Sequence, residues 1–252
     1  MSRQFIIADA ILLATQGVLV TLPGHGLPPR LERFKSRGWA LIAPLSIALV
    51  VAAIALFPQV ADALTWVALI LVPIGAMLAL GWAMHRAKPA YAIVAALLFV
   101  YCWAEVGTLS GDAAAAALTA LSTVTVGRLL AGLVPGLWLK AGIVAMAIID
   151  SILVFGNQLQ GPNATLNAAA PIPGAPQLQY LDIHSASMGY GDVFVAGVLG
   201  GILAAERRGQ RLAGLLVFVL GALWDLLFLH FDTLPATVPV AVALVLLELG
   251  HS

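Results

Sequence analysis

Charged side chains are scarce in this sequence. Only 10% of its 252 residues are Asp, Glu, Lys or Arg, and 12 basic residues balance 12 acidic ones, so the formal net charge is zero. Soluble domains average about 25% charged residues. A nucleic-acid-binding surface or a solvated tail would need an excess of one sign, which is absent here. We therefore expect no nucleic-acid partner.

Cysteine is almost absent as well. Cys102 is the only one in the chain, which excludes an internal disulfide and argues against a cysteine metal site. The five histidines are scattered along the sequence, so they do not suggest a metal site either. We expect neither a metal nor a cofactor.

Apolar residues dominate instead. They make up 62% of the chain, and the mean hydropathy is +1.02, which is typical of an integral membrane protein whose solvent is the lipid bilayer. A helix needs about 20 apolar residues to cross a membrane. Pro, Gly and charged residues divide the chain into nine such segments, and the first lacks a signal-peptide cleavage site, so we expect it to be retained. The segments are Phe5–Thr21, Trp39–Phe57, Leu64–Trp82, Ala90–Val106, Ala113–Val134, Leu137–Gly156, Met188–Glu206, Leu212–Phe231 and Leu234–Leu249.

The predicted fold is therefore all-α: a single multi-pass transmembrane domain over residues 1–252. Six helices occupy about 5–156, a long loop 157–187, and three further helices 188–250. Lys and Arg concentrate in cytoplasmic loops, and here all except Arg3 fall in or beside alternate connections. This bias predicts a cell-membrane protein with its N-terminus outside, its C-terminus in the cytoplasm and the 157–187 loop outside.

Two acids lie within predicted membrane helices. Asp150 is near the end of the sixth segment, and Asp192 is near the start of the seventh. At about 1.5 Å per residue, the two carboxyls are expected about 9 and 6 Å below the same outer boundary. Ionisable groups at such depth usually mark function. The bland alternative is that each is a protonated acid that hydrogen-bonds a backbone carbonyl.

Two facing carboxyls in an apolar site share one proton. The ionised member can activate water while the protonated member polarises a carbonyl, as peptide hydrolysis requires. Gly189 and Gly191 flank Asp192 with hydrogen in place of side chains, so a neighbouring backbone is expected to approach closely there.

Four other acids near helix ends have simpler interpretations. Glu105 and Asp225 lie toward outer helix ends and are expected to be solvated or hydrogen-bonded, with Asp225 a possible third polar member of the site. Asp9 and Asp232 lie near the outer boundary and need no special account.

The stretches around these acids resemble the GxGD intramembrane aspartyl proteases, the family of presenilin and signal peptide peptidase. The likeness lies in "DSILVFGN" around Asp150, "GYGDVFVAGVLGG" around Asp192 and "LPATVPV" from Leu234. The family has nine spans, an aspartate on helix 6 and another on helix 7, and a Pro-Ala-Leu motif opening helix 9. Here that motif reads Pro-Ala-Thr, and Ile149 replaces the family's Tyr before the first aspartate.

The resemblance implies a presenilin-like bundle that cleaves transmembrane helices or remnant signal peptides. Its orientation matches the signal peptide peptidase branch, and its compactness matches prokaryotic members. By resemblance, the catalytic residues are Asp150 and Asp192. Substrate-binding residues would be Gly189, Tyr190 and Gly191 beside the second aspartate, and Pro235, Ala236 and Thr237 at the start of the last helix.

The long outer loop offers weaker signals. Residues 176–187 alternate briefly between apolar and polar at Leu178–Tyr180, compatible with an edge strand, although a plain loop is the expectation. His184 is a candidate for tuning the acids, but a lone loop histidine is more often uninvolved. A glycosylation sequon at Asn163 is expected to be accidental.

Alternative functions stay open at this point. A prepilin-peptidase-like enzyme also uses a G-x-G-D aspartate, but cleaves at the cytoplasmic face. A proton-coupled transporter or channel would use paired acids as a relay. A non-catalytic substrate-binding relative is the last alternative. The sequence identifies neither the substrate, the cleavage position, the oligomeric state nor the protonated aspartate.

Overall fold

The computed structural model describes residues 3–183 and 185–250, and this part of the chain is all-helical apart from one β-hairpin. The helices are α1 Arg3–Thr21, α2 Ile42–Leu56, α3 Val60–Leu78, α4 Ala92–Ala104, α5 Leu109–Leu133, α6 Gly136–Phe155, α7 Gln160–Ala168, α8 Tyr190–Ala205, α9 Gln210–Trp224 and α10 Val238–Leu249. The hairpin strands are β1 Tyr180–Ile183 and β2 Ala186–Gly189.

Each of the nine predicted segments contains an apolar helix. Within the described residues, five helical stretches are long and apolar enough to cross a membrane: Arg3–Thr21, Val60–Ala83, Leu109–Leu133, Gly136–Phe155 and Gln210–Leu229. Four more are apolar but shorter: Pro44–Leu56, Pro89–Ala104, Tyr190–Ala205 and Val238–Leu249. The all-α class and a multi-pass membrane character are thus supported, whereas nine complete crossings stay a prediction.

Helix α8 lies at the centre of the bundle. All its residues from Val193 to Ala204 are buried, and its main neighbour is the long helix α5. The two helices touch through backbone: a methyl group on Gly197 would lie 2.6 Å from the carbonyl oxygen of Thr123, and one on Gly201 would lie 2.5 Å from that of Gly127. Only glycine allows such an approach, which buries the α8 backbone against α5.

Ion pairs gather at one end of the bundle. Lys140 Nζ lies 2.7 Å from Glu206 Oε1 and 3.1 Å from Glu248 Oε2. Arg208 pairs with the same two glutamates. The cluster joins the start of α6 to the ends of α8 and α10, so these three helix ends lie next to one another.

Arg128 organises the same end of the bundle on another side. Its guanidinium donates hydrogen bonds to the carbonyls of His25, Gly26 and Trp82 and lies 4.2 Å from the Trp82 ring centroid. His25 and Gly26 follow α1, and Trp82 lies in the π-helical turn Ala79–Ala83 that ends α3. A planar donor with several N–H groups can bind carbonyls from both segments at once. Every Lys and Arg except Arg3 lies in or beside the connections at this end.

The long loop departs from the expectation of a plain loop. It contains helix α7 and the antiparallel pair β1–β2, in which Tyr180 pairs with Gly189 and Ile183 with Ala186. Burial alternates along β2, with Ala186 and Met188 inside. Of the three residues that suggested a strand, only Tyr180 belongs to β1, and Leu178 and Gln179 are both buried. Every apolar helix starts within four residues of its predicted segment; near the acids, α8 begins at Tyr190 and not Met188, because β2 extends to Gly189, and α10 begins at Val238 and not Leu234.

The glycine contact between α5 and α8 generates a stability prediction. Gly197→Ala should lower the free energy of unfolding by about 1–3 kcal/mol, because the added methyl group forces two packed backbones apart. Thermal unfolding in detergent micelles measures this. The matched control is Gly161→Ala in α7, where a methyl group meets no atom within 4 Å. Equal melting temperatures for the two variants would contradict the packing argument.

Candidate functional site

Asp150 occupies a buried position on α6. Its side chain is 5% exposed, five residues before the helix ends at Phe155. The Thr237 hydroxyl, which is fully buried, donates a 2.6 Å hydrogen bond to Asp150 Oδ2. Thr237 is the N-cap residue of α10, so this bond ties the start of α10 to the C-terminal half of α6.

Asp192 lies in the first turn of α8. The backbone N–H of Gly189, the N-cap residue, donates a 3.2 Å hydrogen bond to Asp192 Oδ2. A negative charge at this position is favoured by the unpaired N–H groups and the dipole at a helix N-terminus. This placement explains how an acid is tolerated at the head of an apolar helix.

Asp150 and Asp192 lie on helices that pack against each other, since Gly191 of α8 borders Met146 of α6. The Asp192 carboxyl is within electrostatic range of Asp150. Helix capping accounts for the position of Asp192 but not for Asp150, which has no helix terminus to stabilise. Two neighbouring carboxyls in an apolar environment cannot readily both be charged.

The three residues that precede Asp192 have different neighbours. A methyl group on Gly191 would lie 3.4 Å from Met146 Cε and 3.5 Å from Ile47 Cδ1, so α6 and α2 border this position. Gly189 faces the Asp192 carboxylate itself, which would lie 3.3 Å from an added methyl group. The Tyr190 hydroxyl is hydrogen-bonded to Ser122 Oγ at 3.1 Å and anchors α8 to α5.

The segment before α10 is irregular. Pro235 is buried and Ala236 half-buried, and the helix begins only at Val238. Pro239 has no N–H to reach the Pro235 carbonyl, which accepts instead from Val238 N at 3.3 Å. The start of α10 is thus irregular, and Thr237 within it donates to Asp150.

Gln16 is a further residue at this site. It lies in the middle of α1, is fully buried, and donates from Nε2 to the carbonyl oxygens of Asp192 at 2.9 Å and Ala236 at 3.2 Å. Sequence reasoning missed it because only ionisable residues were weighed. The available signal was a lone amide within an apolar segment.

A second pair of acids lies on other helices. Asp9 of α1 and Asp225, at the end of α9, lie within interaction range of each other. Asp225 was expected to be solvated or hydrogen-bonded, and its Oδ2 is instead buried without a hydrogen-bond donor among the described residues. Asp9 does need an account, contrary to expectation, because two neighbouring carboxyls cannot readily both be charged.

The other candidates lie apart from the site or outside the described residues. Glu105 is the C-cap residue of α4, Asp232 is exposed, and His184 lies outside the residues that the structure describes. Residues 3–183 and 185–250 contain no group of three or more His, Cys, Asp or Glu that would hold a metal ion.

Comparisons with protein families, with curated proteins and with solved structures find no match for this chain. A functional interpretation therefore depends on the geometry of the two carboxyls and on the motifs around them.

The Thr237–Asp150 bond leads to a second prediction. Thr237→Val keeps the shape of the side chain but removes the hydroxyl, and should lower the free energy of unfolding by about 1–3 kcal/mol because a buried carboxyl loses its donor. Thr237→Ser retains the hydroxyl and serves as the matched control. Equilibrium unfolding in mixed micelles measures both variants, and a Val variant as stable as the Ser variant would show that the bond contributes nothing.

Proposed function

We propose that this protein is an intramembrane aspartyl protease of the signal peptide peptidase type. The observation that carries the proposal is the pairing of Asp150 on α6 with Asp192 on α8, in a site closed by Thr237 from the start of α10. In the proposal, all nine apolar helices cross the bilayer as a presenilin-like bundle. The motif resemblance and the order of the three elements along the chain support it.

The chemistry follows from the shared proton. The ionised carboxylate takes a proton from water as the water oxygen attacks the scissile carbonyl carbon. The protonated carboxyl donates to the carbonyl oxygen, which becomes a hydroxyl of the tetrahedral intermediate. Collapse of the intermediate breaks the C–N bond, and the amine leaves with the proton that the first carboxylate took from water. One hydroxyl of the intermediate returns its proton to the other carboxylate as the new carboxyl group forms, so the pair again holds one proton. No covalent enzyme intermediate forms.

The proposed substrates are transmembrane helices or remnant signal peptides. Helical amides are hidden in internal hydrogen bonds, so the substrate must unwind and find other partners before cleavage. The β1–β2 hairpin leads directly into Tyr190–Asp192. A strand of unwound substrate pairing with this hairpin would lie beside the second aspartate.

The positions of the charges support the proposed orientation. The basic connections lie at the end where α6 starts and α8 ends, whereas the acids lie at the opposite ends of these helices. The positive-inside rule then puts the acids toward the outside, as in signal peptide peptidases. A prepilin-peptidase-like enzyme would need its acids at the cytoplasmic face.

A transporter is less well supported. A proton relay needs ionisable groups spaced across the membrane, whereas both acid pairs, Asp150–Asp192 and Asp9–Asp225, lie toward the same end. Glu206 and Glu248 at the other end are engaged in ion pairs. The arrangement suits a local reaction better than a transmembrane pathway.

The dyad assignment is tested by Asp150→Asn and Asp192→Asn. Each should abolish cleavage of a helical model substrate in liposomes, because an amide can neither share the proton nor activate water. Mass spectrometry of the products gives the readout. Asp225→Asn is the matched control, since it removes a membrane acid outside the dyad, and it should retain activity. Cleavage by either dyad variant would end the assignment.

The orientation is tested with single cysteines in a Cys102→Ala background. Gly161→Cys lies in the loop before the hairpin and Gly209→Cys between α8 and α9, and both positions have open space around them. In intact cells, a membrane-impermeant maleimide should label Gly161→Cys but not Gly209→Cys. The reverse pattern would favour a cytoplasm-facing, prepilin-peptidase-like enzyme.

A further inference from the structure

Gln16 connects the two elements that hold the acids. Its carboxamide nitrogen uses both hydrogens, one toward the carbonyl of Asp192 in α8 and one toward the carbonyl of Ala236 before α10. Asp192 is itself a member of the acid pair, and Ala236 directly precedes Thr237, which donates to Asp150. One side chain on a third helix therefore holds the backbone on both sides of the dyad.

The bond to Ala236 acts on a segment with little internal support. Ala236 precedes the first residue of α10, Val238, and Pro235 and Pro239 have no backbone N–H to contribute to a helical ladder. The Thr237–Asp150 hydrogen bond holds this segment to α6. The Gln16 bonds add a polar link from the same segment to α8.

The side-chain amide of Gln16 has a cost in folding free energy. Gln16 Oε1 is buried and has no hydrogen-bond partner among the described residues, and an unsatisfied buried acceptor costs about 1–3 kcal/mol. The same face of α1 is otherwise apolar, with Leu12, Leu13, Leu19 and Val20 buried. A packing role alone would be served better by Leu or Met.

We infer that Gln16 is a positioning residue that sets the separation and alignment of Asp150 and Asp192 by clamping α8 to the segment before α10. The inference rests on the proposed function, since positioning matters only if the two acids react together. Gln16 acts through backbone and does not need to touch the substrate.

The test compares two glutamines with similar bonds. Gln16→Met keeps the length of the side chain but removes the amide. Gln210→Met is the matched control: Gln210 Nε2 lies 3.0–3.1 Å from the carbonyls of Val20, Pro23 and Gly200. These contacts lie about one helical turn beyond Gln16 along α1 and about two turns beyond Asp192 along α8. Cleavage kinetics are measured against pH on the folded fraction of each variant.

The expected result is specific to Gln16. Its kcat should fall by about 10- to 100-fold with little change in KM, because a small misplacement of reacting groups is that costly. The pH profile of kcat should also change shape, because the splitting of two coupled titrations depends on the distance between the carboxyls. Gln210→Met should lose stability only. Equal kcat and equal pH profiles in the two variants would overturn the inference.

A stability measurement separates this inference from the proposed function. If the wild-type protein cleaves no helical substrate, the proposed function fails, and the clamp is then judged by a double-mutant cycle of Gln16→Met and Thr237→Val. A coupling between the two changes in unfolding free energy would support the clamp. Strict additivity would overturn it.

Discussion

The need of a buried carboxyl for a hydrogen-bond donor organises one end of the helical bundle. Asp150 lies among apolar helices, and a bare carboxyl there would be strongly unfavourable. The Thr237 hydroxyl, at the irregular start of α10, meets this need. Gln16 then holds the same segment to α8. Helices α1, α6, α8 and α10 thus meet around one acid.

The two ends of the bundle are stabilised differently. The ion-paired end keeps part of its charge in contact with water: the side chains of Lys140, Arg208, Glu206 and Glu248 are 16%, 13%, 30% and 42% exposed. Single pairs of this kind contribute about 1 kcal/mol or less, so their main effect is to align helix ends. At the acid end, hydrogen bonds from Thr237 to Asp150 and from Gly189 to Asp192 take the place of ion pairs.

Sequence reasoning located the apolar helices and predicted that Asp150 and Asp192 lie at similar depth, because both steps follow from short-range rules. Hydrophobic length places each apolar segment, and the rise per residue places Asp150 and Asp192 at one depth on neighbouring antiparallel helices. The lone amide of Gln16 was visible in the sequence, but its partners were not, since they lie 176 and 220 residues away. The hairpin was missed because its alternation is short, and the Asp9–Asp225 pair because nothing local indicates that α1 and α9 adjoin.

The structure shows what Thr237 contributes at the position where the Pro-Ala-Leu motif has leucine. A leucine at this position, as in the motif that the segment resembles, would offer no hydrogen bond to Asp150. Threonine places a hydroxyl 2.6 Å from the carboxyl while its methyl group retains part of the apolar surface. The change therefore adds a polar contact to the site and does not remove one. Nothing in the structure explains Ile149 in the same way, because no polar contact of the site passes through it. Of the two departures, only the one at Thr237 alters the chemistry around the acids.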